Sequence, residues 1–190
     1  MNCIKFDTIP STNDFLKNYC RKKRLPDFFY VYTDYQTAGR GQRKNTWQAA
    51  CCKNVLISIY LRPKYDTKNQ QLLNQVISLA IIRLLQKNDI TQTAIKKPND
   101  ILADNKKIAG ILIENRIQNN QWKSAVIGIG LNVNQTDFVN LPEAISMKNI
   151  TGKDFQVNQL IIKLIDEIKK QYQRPAGELE RDFTALLKQI

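Results

Sequence analysis

The sequence predicts an α+β fold, a mixed, largely antiparallel sheet flanked by helices, and three observations carry that reading. Apolar, β-branched segments between Ala94 and Val133 follow one another with Asp104-Asn105 and Asn119-Asn120 between them, which marks adjacent antiparallel strands joined by tight turns. Gln70 to Lys87 carries Leu72, Leu73, Val76, Ile77, Ala80, Ile81, Leu84 and Leu85 at three- and four-residue steps, the apolar stripe of a helix laid on a sheet. The last third changes period: Val157 to Tyr172 and Gly177 to Ile190 are both helix-periodic, broken apart at Pro175 and Gly177.

The elements follow in chain order. Ile4 and Phe6 alternate with polar residues as a strand does. Ser11-Thr12-Asn13-Asp14 then offers an N-cap to an apolar-periodic run through Phe15, Leu16 and Tyr19. Phe28 to Thr33 and Val55 to Leu61 are β-branched and aromatic strands. The polar, glycine-containing stretch between them is too long to be a plain connection, and such loops usually carry function. After the long helix come short strands at Ala94 to Lys96 and Ile101 to Ala103, then Ile108 to Glu114 and Ser124 to Val133.

With 190 residues the chain has room for a single well-buried core, so residues 1–190 are read as one domain. Hydrophobic residues make up 43% and charged residues 24%, which excludes a disordered or fibrous chain. Apolar runs such as Ile77 to Leu85 are interrupted by Ser78 and Arg83 and fall short of the roughly 20 residues of a membrane span. Asp7 stands where a secretion signal has its apolar core, so the expected location is the cytoplasm. Cys3, Cys20, Cys51 and Cys52 show no CxxC spacing and the chain has no histidine, so reduced, unpaired thiols are expected rather than zinc or a disulfide framework. A net charge of +12 favours acidic partners or phosphates. The cations are spread over Arg21-Lys22-Lys23-Arg24, Arg40 to Lys44, Lys96-Lys97, Lys106-Lys107 and Lys169-Lys170, with no single basic helix face, so no DNA-reading element is expected.

Three segments carry chemistry. Gln36 to Trp47 combines Gly39 and Gly41, which let backbone approach a ligand, with Arg40 and Arg43, which can meet phosphate or carboxylate. Taken alone it is equally a solvated loop. Lys96-Lys97-Pro98-Asn99-Asp100 and Lys106-Lys107-Ile108-Ala109-Gly110-Ile111-Leu112-Ile113-Glu114 flank a turn, so Asp100 and Lys107 can converge across a hairpin. A carboxylate able to hold Mg²⁺ beside a lysine able to neutralise phosphate is what nucleotidyl transfer requires; a surface salt bridge is the plainer alternative. Gly128-Ile129-Gly130-Leu131-Asn132-Val133-Asn134 puts two glycines on one side of a strand, leaving room for a flat ligand against the sheet.

With Ser11-Thr12-Asn13, these segments resemble the motifs of the biotin–protein ligase family: STN, then GRGRxGRxW or GRGQxGNxW, then KWPND with KxAGILxE, then GxGxN, in this order and with these gaps. The resemblance covers Ile4 to about Lys170 and implies a class II aminoacyl-tRNA synthetase/biotin ligase-like sheet. It further implies ATP-dependent formation of biotinyl-5′-AMP and transfer of biotin to a lysine of a biotin carboxyl carrier domain of a carboxylase. On that basis Ser11, Thr12 and Gln36 meet the ureido ring, Gly110, Gly128 and Gly130 make room for the body of biotin, and Asn13 and Gly39 also belong to the biotin site. Arg40 and Lys107 are the catalytic pair, contacting both biotin and ATP. Gln42, Trp47, Asn99 and Asn132 belong to the ATP site, with Trp47 over the adenine, and Asp100 with Asn99 positions Mg²⁺. The Gly39 to Trp47 loop is expected to order and close over the acyl-adenylate.

Three residues depart from the pattern: Gln42 in place of arginine, Lys44 in place of a glycine that serves through positive φ, and Lys97 in place of tryptophan, where its charge must reach solvent or an anion. The first motif begins at residue 11, which leaves no room for the N-terminal DNA-binding domain of ligases that double as repressors, and the chain ends without the small C-terminal β-barrel. The expectation is a fragment or a minimal form, with pairing of two copies through their sheets as a family habit. Two alternatives stand beside this reading: a lipoate or octanoate transferase, against which KKPND and KKIAGILIE argue, and a catalytically silent biotin or nucleotide sensor. The +12 charge also permits a nucleic-acid-binding module with steep salt dependence.

Overall fold

The computed structural model describes residues 2–188, the side chain of Lys44 excepted. Seven strands form one sheet in the order β1-β2-β3-β7-β6-β5-β4. They are β1 (Cys3–Ile9), β2 (Phe29–Gln36), β3 (Asn54–Leu61), β4 (Thr93–Lys96), β5 (Asp100–Ala103), β6 (Lys106–Gln118) and β7 (Gln121–Asn132). The first helix, α1 (Thr12–Lys22), connects β1 to β2, and these two strands run parallel because a helical crossover brings the chain back to the same end. Every other pairing is antiparallel. The mixed, largely antiparallel sheet read from the sequence is therefore the one formed.

Alternation along β3 and β7 divides the sheet into two faces. Val55, Ile57, Ile59 and Leu61 point with Ala125, Ile127, Ile129 and Leu131 into the main core, which α2 (Gln70–Gln86), α4 (Val157–Tyr172) and α5 (Ala176–Ala185) complete. Helix α2 has twelve buried residues, so it lies beneath α4 and α5 and is apolar nearly all round. The opposite face carries a smaller cluster of Leu16, Leu25, Phe29, Val31, Tyr60 and Val126 under α1. Ser58, Gly128, Gly130 and Gly110 lie on this second face, Ser58 and Gly128 against the first turn of α1 and Gly110 and Gly130 against the Trp47 ring.

Two details differ from the sequence reading. The helix beginning near Gly177 stops at Ala185 instead of running to Ile190: the Ile95 N–H donates to Leu186 O at 2.7 Å and the Lys188 N–H to Ile95 O at 2.9 Å. The chain leaves the helix because it satisfies the open edge of β4, which would otherwise present unpaired backbone groups. Residues 189 and 190 lie outside the described residues. A short helix, α3 (Met147–Thr151), was not foreseen; Ser146 caps it, with reciprocal bonds to Asn149, and Gly152 ends it at φ 71°.

Candidate functional site

The site begins where α1 starts. Ser11 caps the helix by accepting from the Asp14 N–H at 3.3 Å, and this fixes Thr12 and Asn13 as buried residues of the first turn. The Thr12 N–H and Oγ1–H both donate to Gln36 Oε1, at 2.8 and 3.0 Å, joining α1 to the end of β2. Ser58 Oγ, wholly buried on β3, lies 2.7 Å from Thr12 Oγ1 and 2.5 Å from Asn13 Oδ1, and its single proton serves one of them. Asn13 Nδ2 continues the chain to Glu114 Oε2 at 3.0 Å.

Glu114 gathers charge. Lys17 Nζ lies 2.8 Å and Arg40 Nη2 3.1 Å from its Oε1, and Arg40 also pairs with Asp14. Burial alone would raise the Glu114 carboxyl, but hydrogen bonds from Lys17 and Asn13 and the charges of Lys17 and Arg40 outweigh it and hold the group below the ordinary glutamate value. Burial would likewise weaken the Arg40 guanidinium, yet Glu114 and Asp14 keep it more firmly charged than usual.

The loop that follows β2 is a folded hairpin. The Trp47 N–H donates to Gly39 O at 3.0 Å, the Gly41 N–H to Asn45 O at 2.7 Å, and Arg40 bridges Thr46. A Cβ at Gly39 would collide with the Trp47 carbonyl, so this closure needs glycine there. Arg43 adopts a left-handed backbone at φ 53°, whereas Lys44 keeps a helical backbone within the 42–44 turn, so the positive φ expected at Lys44 falls one residue earlier. The loop delivers the Trp47 indole onto the sheet. In the register, Gly110 faces Gly130 across β6 and β7, and a Cβ at Gly130 would strike the ring, one at Gly110 approaching to 2.9 Å. The flat space foreseen above the strand glycines is thus where the indole lies, with its Nε1–H buried and, among the described residues, lacking an acceptor. Gly128 serves a different neighbour, the Asn13 amide.

The β5–β6 hairpin converges as its sequence suggested. Lys107 Nζ stands 2.6 Å from Asp100 Oδ1 and 5.5 Å from the Trp47 ring. The ammonium meets this buried oxygen off the hydrogen-bond axis, so the contact is an ion pair, and among the described residues Asp100 Oδ1 has no aligned donor. Asn99 Nδ2 donates to Ile111 O at 3.0 Å, fixing its side chain beside Asp100. Among the described residues no three acidic, cysteine or histidine side chains gather to hold a metal ion.

One cleft, open to solvent, unites these parts. Ser11, Thr12, Asn13 and Gln36 line its polar end and Gly110, Gly128 and Gly130 its floor. Arg40, Gln42, Trp47, Asn99, Asp100 and Lys107 line the rest. Two expected members stand apart. Gly39 lies on the outer side of the loop, and Asn132 lines an adjoining apolar cleft with Phe138, Leu141 and Ala144, its Nδ2 donating to Ile145 O at 3.1 Å. Lys97 is exposed, as its charge requires. The sequence reading missed Ser58, Asp14, Lys17 and the 138–144 segment, and quoted Glu114 without giving it a role. Ser58 had a signal, being the one polar residue inside the apolar run from Val55 to Leu61; Asp14 and Lys17 had none, since charged residues on an exposed helix turn are ordinary. Among the described residues no helix is long and apolar enough to cross a membrane.

Comparison with known proteins agrees with this geometry. Residues 5–132 match the model of the biotin/lipoate A/B protein ligase family. The chain is 37% identical over 110 residues to the bifunctional ligase/repressor BirA of Bacillus subtilis, a match covering 58% of this chain and 34% of that protein. It is 28% identical over 167 residues to the biotin–[acetyl-CoA-carboxylase] ligase of Mycobacterium tuberculosis, covering 84% of this chain and 60% of that one. The match thus spans about a third of the first relative and less than two thirds of the second. The fold superposes on the biotin protein ligase of Aquifex aeolicus, solved with biotin and ATP, with a TM-score of 0.83 at 25% identity over 98% of this chain and 78% of that one.

Proposed function

Because the chain belongs to the biotin/lipoate A/B protein ligase family, we propose that it activates biotin with ATP to biotinyl-5′-AMP and transfers biotin to a lysine of a biotin carboxyl carrier domain. One observation carries this reading. A single cleft runs from a buried polar end at Ser11, Thr12 and Gln36, across a floor without side chains at Gly110 and Gly130, to a cationic end at Lys107 and Arg40. That sequence of environments matches a ligand with a hydrogen-bonding head, a flat apolar body and an anionic tail. Biotin has all three. A lipoyl dithiolane ring offers no N–H or C=O to the polar end, which disfavours the transferase alternative.

In the first step a carboxylate oxygen of biotin attacks the α-phosphorus of ATP and pyrophosphate leaves; in the second the acceptor amine attacks the acyl carbon and AMP leaves. The protein chiefly orients the reactants and neutralises charge. Ser11, Thr12, Asn13 and Gln36 hold the ureido ring, Arg40 meets the carboxylate and α-phosphate, and Lys107 balances charge as pyrophosphate departs. Gln42, Trp47 and Asn132, with the apolar 138–144 segment, serve the nucleotide. Asp100 and Asn99, side by side in the cleft lining, offer oxygen ligands that would hold a Mg²⁺ ion brought in with phosphate once Lys107 turns from Asp100 to the phosphates. Such an ion would supply further neutralisation of the phosphates. A ligand on the glycine floor and the Trp47 indole exclude each other, so binding requires the loop to swing and Arg40 to leave Asp14 and Glu114. The setting is the cytoplasm, the protein partner the biotin carboxyl carrier domain of a carboxylase, and two copies pair through their sheets.

Label transfer from biotin to a biotin carboxyl carrier domain, measured with and without ATP, tests the reading, with Lys107→Ala as control and lipoate as competitor. Transfer that needs ATP, fails in the variant by about 10²–10³-fold and resists lipoate supports it. Biotin binding without transfer would make the chain a sensor, and absence of biotin binding would overturn the reading.

A further inference from the structure

Cys51 and Cys52 lie in the turn that leads from the Trp47 loop into β3, away from the cleft. Both are exposed, both thiols are free, and their Sγ atoms stand 3.1 Å apart. Adjacent residues do not normally point side chains together; here Cys52 takes a left-handed backbone at φ 63°, which turns its thiol toward that of Cys51. The turn is held in this shape. The Cys52 N–H donates to Asp34 O at 2.9 Å, and the Ala50 N–H to Gln135 Oε1 at 2.8 Å. The other two cysteines offer no such pairing: Cys20 gives its thiol proton to Lys17 O, and Cys3 lies in β1.

We propose that Cys51 and Cys52 form a paired-thiol modification site that closes reversibly to a vicinal disulfide by exchange with low-molecular-weight disulfides. The Cys51 thiolate attacks one sulfur of the disulfide and a first small thiol leaves with a proton. Cys52 then attacks the Cys51 sulfur in the mixed disulfide and releases the second small thiol. Two thiol hydrogens are lost from the protein, and the small disulfide is reduced by the same two electrons. The contact with Cys51 raises the Cys52 thiol above its ordinary value, and at 3.1 Å either sulfur can resolve a mixed disulfide formed on the other.

Closing the bond shortens the sulfur separation from 3.1 Å to about 2.05 Å. The Cα atoms of neighbouring residues are held about 3.8 Å apart, below the usual range for disulfides, so the ring is strained and readily reduced again. Reversibility is the expected behaviour of such a ring. Oxidation also rebuilds the turn by which the Trp47 loop joins β3, placing a redox-sensitive joint four residues from the indole.

Intact protein treated with oxidised glutathione, digested with trypsin and weighed decides the matter, because Asn45 to Lys53 holds both thiols in one peptide. The expected product has lost two hydrogens and retains no glutathione, forms faster than adducts on Cys3 or Cys20, and reverts with a dithiol reductant. In Cys52→Ser the reaction should stop at a retained glutathione on Cys51. Phenylarsine oxide adds an independent measure: bridging of both sulfurs, with loss of water, should survive excess monothiol in the parent protein and not in either single serine variant. Stable glutathione on both cysteines, or arsenical capture no stronger than in the serine variants, would overturn the proposal. Neither readout depends on ligase activity.

Discussion

Replacing Asp14 by asparagine should tighten biotin binding, because Asp14 helps hold Arg40 away from the ligand it is proposed to meet. The pair is partly solvated, with Arg40 40% and Asp14 45% exposed, so its worth lies in the range for surface ion pairs, at most about 1 kcal/mol. Glu114 keeps its own contact with Arg40, so only part of the restraint is removed. About 1 kcal/mol corresponds to roughly a fivefold lower Kd, since about 1.4 kcal/mol is tenfold. The same substitution removes an acidic residue from the first turn of α1, which should lower stability by about 0.3–1 kcal/mol. Affinity and stability therefore move in opposite directions, which a general loosening of the fold would not produce.

Calorimetric titration with biotin, repeated at low salt and near 1 M salt, gives the test. Screening at high salt weakens the Arg40–Asp14 pair, which the parent protein alone has, and acts on the Arg40–Glu114 pair in both, so the two affinities should converge. Tryptophan emission supplies a second view: Trp47 leaves the sheet on binding, while Trp122, buried near the far end of β7, acts as a steady background. Weaker biotin binding in Asp14→Asn would refute the reasoning, because it would show that the contact with Arg40 belongs to the ligand-bound site.

Two further outcomes follow from the same contacts. In Gly128→Ala the new methyl would press on the Asn13 amide, which Ser58 and Glu114 already hold; stability measured by denaturant should fall by about 1–3 kcal/mol and biotin affinity by more than tenfold, whereas an unchanged pair of values would mean that Asn13 is free to move. Glu167 concerns stability alone. Burial would raise its carboxyl, but the hydrogen bond from Lys87 and the charges of Lys87 and Lys170 outweigh it and hold the group below the usual value. A depressed carboxylate contributes stability that is present above the unfolded value of about 4.3 and is lost as pH falls through the folded one. Glu167→Gln should therefore be about 1–2 kcal/mol less stable at pH 7, with a gap that closes in acid; an equal gap across thermal melts at both pH values would exclude the ion pair as its source.

The meander from β4 to β7 was legible in the sequence because its strands are β-branched and its turns are Asp-Asn and Asn-Asn, all local signals. The parallel pairing of β1 with β2 was not, since nothing in either segment names its partner. The end of α5 was misread for a related reason: Leu186 to Lys188 continue a helical pattern, and only the open edge of β4, distant in sequence, diverts them. Lys107 and Asp100 were found because a hairpin brings residues on either side of one turn together. Arg40, by contrast, was assigned to a ligand, and its pairing with Glu114 spans 74 residues with no local trace.

The glycines show most plainly where sequence reasoning stops. Paired glycines in adjacent strands say that something flat lies above them and leave its identity open. Here the chain supplies it in Trp47, and the energetic balance explains how that ring can yield to a ligand. The indole gains apolar burial on the sheet, but its Nε1–H is buried without an acceptor among the described residues, at a cost of about 1–3 kcal/mol. The Arg40 contacts at the rim add little more than about 1 kcal/mol each. A ligand whose body takes the floor and whose carboxylate takes Arg40 replaces both interactions in kind and frees the indole nitrogen to reach water. Because Arg40 is partly solvated and Trp47 is wedged against the floor, release should begin at the rim. The order of events, arginine first and tryptophan second, thus follows from exposure, and salt should speed the first step while leaving the second untouched.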